Sequence, residues 1–347
     1  MLGASPEGAR LISFQTTPSA RASVAERGLE GPLVTVVMSV YRAGSLLRVA
    51  LQSVLDQTHQ NLEIIVVDDG NPIGGLDAIA DIEDDRVRIV WQEHAGKAAA
   101  MNLALTMARG EFYVIQDADD ISAARRIEVQ LQTMMENPDV ACVFCGFDLI
   151  MHGRRVAPLF PSKSVKECKD IIDAFRMPGH DPTTMFRVSL VKDIRYEEAF
   201  AIGQGFDYIL KVGERLPMMT VGECLYSYRI ESTSHSRCDP IRRVELVRAI
   251  LARACVRRGL EKKDWPEALL RYPTSPDSER DSDNNLAAHF IESALHLRRL
   301  GQFREALRTA LTCARVRPLD LHYLKALVLV LTPGPLLRLI RRRAQVI

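Results

Sequence analysis

Long apolar runs alternate with segments of helical spacing in the first third of the chain. The runs are rich in β-branched residues, a pattern typical of strands that are covered on both faces. They cover 32–42, 62–70, 86–93 and 111–120. Segments 45–58 and 96–110 favour helices, and Gly110 is expected to end the second. This alternation predicts an α/β domain with a mostly parallel sheet flanked by helices.

The pattern changes twice further along the chain. Residues 140–160 indicate a β-hairpin with its turn at His152-Gly153, and from about 240 the spacing is helical, interrupted by a Pro/Ser/Asp-rich linker near 271–284. Three parts follow from this pattern. They are a flexible N-terminal tail over 1–31, an α/β domain over 32–239 and a helical extension over 240–347.

Polar residues collect where the predicted strands end. In parallel α/β sheets ligands bind outside the carboxyl ends of the strands, so these residues are expected along one edge. They are Ser39 and Tyr41 after the first strand, Asp68 and Asp69 at the second, and Asp117, Asp119 and Asp120 at the fourth. Three carboxylates this close repel each other unless a cation or several donors balance them. The alternative is that Asp120-Ile121-Ser122 turns the chain and caps the next helix.

Composition narrows the classes of function. The 347 residues are 47% hydrophobic and 26% charged with a formal net charge of +1, which gives no sign of nucleic-acid binding. Seven scattered cysteines fit buried thiols in a reducing cytosol. The sequence lacks both an apolar run long enough for a membrane span and a signal-peptide pattern, so a cytoplasmic protein is expected.

Several segments together resemble family 2 glycosyltransferases. They are "VTVVMSVYR", "ALQSVLDQTHQNLEIIVVDDG", "GKAAAMNLAL", "ARGEFYVIQDADD", "TTMFR" and "LYSYR", in the family's order and spacing over roughly 33–235. The resemblance implies an inverting enzyme of the GT-A fold that uses a nucleotide-diphosphate sugar. A divalent cation, Mn²⁺ or Mg²⁺, held by carboxylates would neutralise the diphosphate leaving group.

The resemblance assigns roles to particular residues. Asp117 of the DxD motif would face the ribose and Asp119 would hold the metal, with Asp117 beside it. Asp69 would pair with the base, and Asp68 would order the turn. Ser39 and Tyr41 would line the nucleotide pocket, although packing is an equally good reading for Tyr41. Arg229 would contact the diphosphate, whereas Glu231 stands where the family has a histidine and His235 comes four residues later.

The chain departs from the family pattern before the fourth strand. The family's asparagine, glycine and arginine appear here as His94, Gly96 and Met101. Because the arginine that would approach the diphosphate is missing, Lys97 is the best substitute as a point charge. Its alternative is a solvated position at the start of a helix.

A second departure concerns the general base that an inverting transfer needs. The family's "ED" pair aligns with Gln204 and Gly205, and the later acid of the same helix aligns with Asp207. Asp207 is the first candidate for the base, and Asp181 of "GHDPTT" is another. The remaining alternatives are that Asp207 is a helix N-terminal acid stabilised by the dipole, or that the protein is catalytically weak.

The helical extension carries no catalytic pattern. Its basic residues could rest on an anionic membrane surface and bring the site to a lipid-linked acceptor, or belong to a helical lid. They are Arg298, Arg299, Arg304, Arg308, Arg338, Arg341, Arg342 and Arg343. We therefore expect a metal-dependent inverting glycosyltransferase that acts on a glycan or lipid-linked acceptor in bacterial-type surface polysaccharide synthesis. The alternative is a catalytically weak or inactive nucleotide-sugar or glycan-binding relative.

Overall fold

A computed structural model provides the structure of the chain. The residues that it describes are 10–12, 31–151, 154–156, 161–229, 240–261, 265, 290–291, 294–295, 297–298, 301, 303–316 and 318–333.

Four parallel strands form the middle of the sheet, as the apolar runs predicted. The first five strands are β1 Arg10–Ile12, β2 Val34–Val40, β3 Leu62–Asp69, β4 Val87–Gln92 and β5 Phe112–Ile115. β2 pairs in parallel with both β3 and β5, and β3 pairs in parallel with β4. All eight residues of β3 are buried, which explains why this strand has no polar face.

Helices cover both faces of these strands. They are α1 Leu46–Leu55, α2 Lys97–Met107 and α3 Arg126–Glu136. Val36 packs in one core with α1 and α3, whereas its neighbour Val37 packs in another with α2. This alternation is the period of two expected for a strand covered on both sides. Met101 of α2 is fully buried in that second core, so it cannot replace the missing arginine.

Antiparallel strands extend the sheet beyond β5. They are β6 Ile121–Ser122, β7 Cys142–Met151, β8 Arg154–Val156, β9 Thr184–Arg187 and β10 Met218–Arg229. The full order is β1-β4-β3-β2-β5-β9-β7-β10-β6, with β8 paired to β7. Met151 lies opposite Arg154, which confirms the predicted hairpin, although its turn residues lie outside the described part.

The first strand was not foreseen. Residues 10–12 fall within the segment predicted to be a flexible tail, yet they pair antiparallel with β4, and Leu11 lies opposite Val90. The short apolar stretch in this segment can add to the sheet because β4 is otherwise an edge strand.

The remaining helices are α4 Val165–Asp173, α5 Val188–Val191, α6 Gln204–Gly213, α7 Pro240–Arg257, α8 Phe303–Val316 and α9 Leu321–Leu331. The chain divides into two compact units. The first contains Met1–Phe147, Phe160–Arg229 and Ile241–Arg271, and the second contains the rest. Nearly all of α7 thus joins the α/β unit rather than the predicted extension, because Ile250, Leu251 and Ala254 share a core with Ile209 of α6.

The second unit contains α8 and α9. Gly301, two residues before the start of α8, has a φ of 77°, the left-handed conformation expected of the predicted helical turn. The guanidinium of Arg298 donates to the carbonyl oxygens of Leu329, at 2.7 Å, and Thr332 at the end of α9. Arg298 therefore has a structural contact within the unit. The linker at 271–284 and the basic residues from 338 to 343 lie outside the described residues.

Helices that could cross a membrane are absent from the described parts of the chain, since none combines the necessary length with the necessary apolar character.

A buried arginine joins several elements of the first unit. Arg126, 1% exposed, donates from Nη2 to the carbonyl oxygens of Pro182 at 2.7 Å and Ile115 at 3.1 Å. Its Nη1 donates to Ser122 Oγ at 2.9 Å, and the guanidinium lies 4.7 Å from the ring centroid of Tyr226. One side chain thus connects the end of β5, the following loop and the turn before β9.

Replacing Arg126 with Met should lower the free energy of unfolding by on the order of 3 kcal/mol, because the buried carbonyl oxygens lose their donor. Urea unfolding followed by circular dichroism measures this. Arg125→Met is the matched control, since the Arg125 side chain is 58% exposed in a surface pair with Glu128. Equal losses for the two variants would contradict the assigned role of Arg126.

Candidate active site at the carboxyl ends of the strands

The predicted polar residues gather along one edge of the sheet. Ser39 is the penultimate residue of β2, and Asp68 and Asp69 end β3. Val37 of β2 pairs with Ile115, the last residue of β5. Ser39 comes two residues after Val37, and Asp117 comes two residues after Ile115, so both lie just past the same paired position. Because β2, β3 and β5 are parallel, their carboxyl ends share this edge, as predicted.

Lys97 lies against the DxD motif. It is the first residue of α2, and its Nζ contacts Asp117 Oδ1 at 2.6 Å and lies 3.8 Å from Asp181 Oδ2. Burial alone would lower the pKa of Lys97, but the carboxylates of Asp117 and Asp181 outweigh it and raise that pKa above its ordinary value. The ammonium is therefore shared by two acids from different parts of the sequence.

Asp120 contacts the last described residue of β10 and does not cap a helix, since α3 begins six residues later. Its Oδ1 accepts the backbone N–H of Arg229 at 2.7 Å, and Arg229 Nε donates to the carbonyl oxygen of Asp119 at 3.0 Å. Burial raises the pKa of Asp120 well above its ordinary value, and Asp117 and Asp119 raise it further. Asp120 Oδ2 is buried without a hydrogen-bond partner in the described structure, so the loop has a polar oxygen that is left unsatisfied.

Asp69 is held by the loop that precedes α2. Its carboxylate accepts hydrogen bonds from Gln92 Nε2 at 2.6 Å and from the backbone N–H groups of Ala95 at 2.9 Å and Gly96 at 3.0 Å. His94 Nδ1 lies 3.0 Å from Asp69 Oδ2. Asp69 is only 1% exposed, so a contact with a nucleotide base would have to share these acceptor oxygens.

Two neighbouring residues complete this corner of the site. Asp68 Oδ1 accepts the backbone N–H of Asn71 at 2.9 Å, which confirms that Asp68 orders the turn. The ring of Tyr41 stacks on His94 with centroids 4.1 Å apart. One face of Tyr41 is therefore covered by His94, which stands where the resemblance led us to expect an asparagine.

Asp207 lies apart from these residues. It is fully buried, with Lys211 Nζ 2.6 Å from its Oδ2 and Arg257 Nη1 3.4 Å from its Oδ1. A carboxylate neutralised by two cations and closed to solvent is poorly suited to take a proton from an acceptor. These contacts argue against the prediction that Asp207 is the general base, and they assign it a structural role in joining α6 to α7.

Asp181 lies in the turn before β9, and its Oδ2 is 3.8 Å from Lys97 Nζ. It is 8% exposed, and its Oδ1 has no hydrogen-bond partner in the described structure. Burial raises the pKa of Asp181 to about 6, with Lys97 opposing and Asp117 reinforcing the shift. At neutral pH this acid is mostly ionised and close to its pKa, which is the state that proton transfer favours.

The carboxylates of the DxD loop fit a hard divalent cation. Within the described residues, no three side chains of His, Cys, Asp or Glu form a group that could hold a metal ion. Mg²⁺ is commonly bound by one or two carboxylates together with substrate phosphates. Asp119, with Asp117 beside it and the unpartnered Oδ2 of Asp120 nearby in the chain, suits that shared mode of binding.

Sequence reasoning missed several supporting residues. Tyr226 accepts the backbone N–H of Asp117 through its hydroxyl oxygen at 3.2 Å, and Arg126 fixes the loop from below. The sequence does not show that either residue contacts this loop, since Tyr226 is 109 residues away in the chain from Asp117 and Arg126 resembles its exposed neighbour Arg125. His94 was noticed only as a departure, although it contacts Asp69 and Tyr41.

Comparison with known proteins identifies the class. Residues 35–195, a little under half of the chain, match the family model Glycosyl transferase family 2, which supports the predicted resemblance to that family of glycosyltransferases. The Escherichia coli protein UDP-Glc:alpha-D-GlcNAc-diphosphoundecaprenol beta-1,3-glucosyltransferase WfgD is 32% identical over 143 residues. That match spans 39% of this chain and 56% of WfgD, so the chain covers only about half of that relative.

Solved structures show the same fold. S. aureus TarS 1-349 in complex with UDP-GlcNAc has a TM-score of 0.55 at 15% identity, covering 82% of this chain and 92% of that one. Mannosyltransferase PcManGT from Pyrobaculum calidifontis in complex with GDP-Man and Mn²⁺ has a TM-score of 0.51 at 21% identity, covering 87% and 88%. These similarities confirm the predicted GT-A fold.

The raised pKa of Asp181 predicts a particular pH dependence of stability. Between about pH 4 and pH 6 the folded state holds a proton that the unfolded state has lost, so this group reduces stability as the pH rises through that range. Asp181→Asn should remove the loss. Relative to the wild type, the variant should gain about 2 kcal/mol in unfolding free energy between pH 4 and pH 7.5.

Urea unfolding at the two pH values measures this gain. Asp193→Asn, at an exposed aspartate of the same unit, is the control and should show no such gain. A stability difference between Asp181→Asn and wild type that does not change with pH, or that changes in the opposite direction, would contradict the prediction.

Proposed function

We propose that the protein transfers a sugar from a nucleotide-diphosphate sugar, with UDP sugars as the first candidates, to a glycan or lipid-linked acceptor, with inversion at the anomeric carbon. The observation that carries this proposal is the meeting of Asp117, Lys97, Asp119 and Arg229 at the strand ends. Negative charge from the DxD loop and positive charge from Lys97 and Arg229 are both needed where a diphosphate binds with a cation.

The bound donor would contact several of these residues. Asp117 would face the ribose, Asp69 the base, and Ser39 and Tyr41 the wall of the nucleotide pocket. Lys97 and Arg229 would contact phosphate oxygens. Their present partners, Asp117 Oδ1 and the carbonyl oxygen of Asp119, hold both cations within the site before a donor arrives.

Mn²⁺ or Mg²⁺ would be held by Asp119, with Asp117 beside it and donor phosphates completing the coordination. The cation would supply charge neutralisation for the departing diphosphate. PcManGT is recorded with Mn²⁺ and GDP-Man, which supports a metal in this fold. The side chains of the protein would orient the donor and remove the proton of the acceptor hydroxyl.

The acceptor and the cellular location are part of the proposal. WfgD, by its name, acts on a diphosphoundecaprenol-linked sugar, which favours a lipid-linked acceptor in surface polysaccharide synthesis here. We therefore place the protein in the cytoplasm, with peripheral contact to the inner face of the membrane through the basic C-terminal residues. A catalytically weak binder of nucleotide sugars is the second candidate, because Gly205 replaces the family's acid and Asp207 is neutralised by Lys211 and Arg257.

Asp119→Ala should lower donor turnover roughly a hundredfold or more, because the diphosphate loses the carboxylate that holds its cation. Nucleotide release from UDP-glucose, UDP-GlcNAc and GDP-mannose, each with Mn²⁺ or Mg²⁺, measures turnover, and EDTA should abolish it in the wild type. Asp139→Ala, at an exposed acid, is the control.

Three results separate the candidates. Metal-dependent turnover that is lost in Asp119→Ala supports transfer. Binding of UDP by calorimetry without turnover of any donor supports the weak relative. Turnover that survives both EDTA and Asp119→Ala would contradict the metal-dependent mechanism.

A further inference from the structure

A glycine in the first turn of α6 faces the Asp181 carboxyl group. Gly205 is the second residue of α6, and a Cβ built on it would stand 2.6 Å from Asp181 Oδ1 and nearer still to Cγ and Oδ2. Real Cβ atoms essentially never approach other atoms this closely. The carboxyl group of Asp181 therefore fills the volume into which a side chain at position 205 would project.

Backbone conformation does not explain this glycine. Gly203, at the N-cap of α6, has a φ of 81° and needs glycine for that reason. Gly205 has helical geometry that any residue can adopt, and glycine inside a helix costs stability. What Gly205 contributes is space for the Asp181 carboxyl group.

The position of that carboxyl group is fixed by its surroundings. Arg126 donates to the carbonyl oxygen of Pro182 at 2.7 Å, and Thr184 Oγ1 donates to the carbonyl oxygen of Asp181 at 2.7 Å. The side chain extends from this turn toward the start of α6, where the positive end of the helix favours a negative charge. Its Oδ2 lies 3.8 Å from Lys97 Nζ, which also contacts Asp117.

The turn before β9 thus supplies a carboxylate beside Lys97, at the position where a side chain at 205 of α6 would project. α6 has glycine at position 205, where the family pattern has an acid. The Asp181 carboxyl group occupies the volume next to that position. Asp207, two residues further along the helix, cannot fill this place because Lys211 and Arg257 neutralise it in the interior.

We propose that Asp181 is the general base of the transfer, an assignment that rests on the proposed function. In the step, an Asp181 carboxylate oxygen takes the proton of the acceptor hydroxyl, and the acceptor oxygen forms the new bond to the anomeric carbon. The bond from that carbon to the diphosphate oxygen breaks, and its electron pair leaves with the nucleoside diphosphate. No oxidant, reductant or further reactant is needed.

Asp181→Asn should lower kcat for nucleotide release by about 10²- to 10⁴-fold, the range for loss of a general base. The probes are UDP-glucose, UDP-GlcNAc and GDP-mannose with Mn²⁺, with water or a lipid-linked sugar as acceptor. The Kd for UDP with Mn²⁺ should change less than about threefold, because the base does not contact the nucleotide. Asp193→Asn should behave as wild type.

The sharpest test moves the carboxylate from the turn before β9 to α6. Asp181→Gly should be inactive, and the double variant Asp181→Gly with Gly205→Asp should regain at least roughly tenfold of the lost kcat, because the acid re-enters the same volume from position 205. Gly205→Ala alone should lower both stability and kcat through its overlap with Asp181, and its stability cost should fall in the Asp181→Gly background.

Several outcomes would overturn the assignment. They are a kcat of Asp181→Asn within tenfold of wild type, an equal loss of UDP affinity and kcat, or a double variant no better than Asp181→Gly. A Gly205→Ala stability cost that is unchanged without Asp181 would refute the overlap itself, independently of activity. A wild type that turns over no donor refutes the proposed function and this assignment with it, whereas an active wild type with an active Asp181→Asn refutes the assignment alone.

Discussion

The ammonium group of Lys97 is the interaction on which the candidate site depends. It lies between Asp117, which belongs to the DxD loop, and Asp181, which belongs to the turn before β9. Without a cation there, two partly or fully buried carboxylates would face each other in a region where Asp120 already lacks a partner for one oxygen. Lys97 balances these carboxylates, and it places the charge that a diphosphate needs next to the acids that a metal needs.

Hydrogen bonds from the surrounding strands and helix hold this charged cluster in place. The buried guanidinium of Arg126 donates hydrogen bonds to backbone carbonyl oxygens and to the side chains of Ser122 and Gln130. These hydrogen bonds connect the DxD loop and the turn that carries Asp181. Tyr226 and Arg229 of β10 fix the other side of the loop through backbone contacts with Asp117, Asp119 and Asp120. The spacing between the two acids is thereby set by the core of the sheet, and the surface loops contribute less to it.

Sequence patterns predicted the parts of this structure that repeat or cluster along the chain. Period and composition predicted β2 to β5 and the flanking helices, and the strand-end rule placed Ser39, Asp69 and Asp117 together, because neighbouring parallel strands share an edge. Sequence patterns could not predict side-chain contacts between segments that are far apart in the chain. Nothing near Asp207 in the chain indicates Arg257, and nothing near Gly205 indicates that Asp181 lies against it, since both contacts arise only when α6 packs on α7 and on the turn before β9. The pairing of residues 10–12 with β4 is of the same kind.

The central claim is that the strand-end residues bind a nucleoside diphosphate with its cation while Asp181 faces the acceptor. A crystal structure of the protein with UDP and Mn²⁺ tests it most directly. In that structure we expect Mn²⁺ between Asp119 and the diphosphate and Lys97 moved toward a phosphate oxygen. We expect the Asp181 carboxylate to face the open side of the β-phosphate, where the sugar would lie. A nucleotide bound away from Asp119, or an Asp181 still closed off by Lys97 with Asp207 facing the phosphate instead, would contradict it.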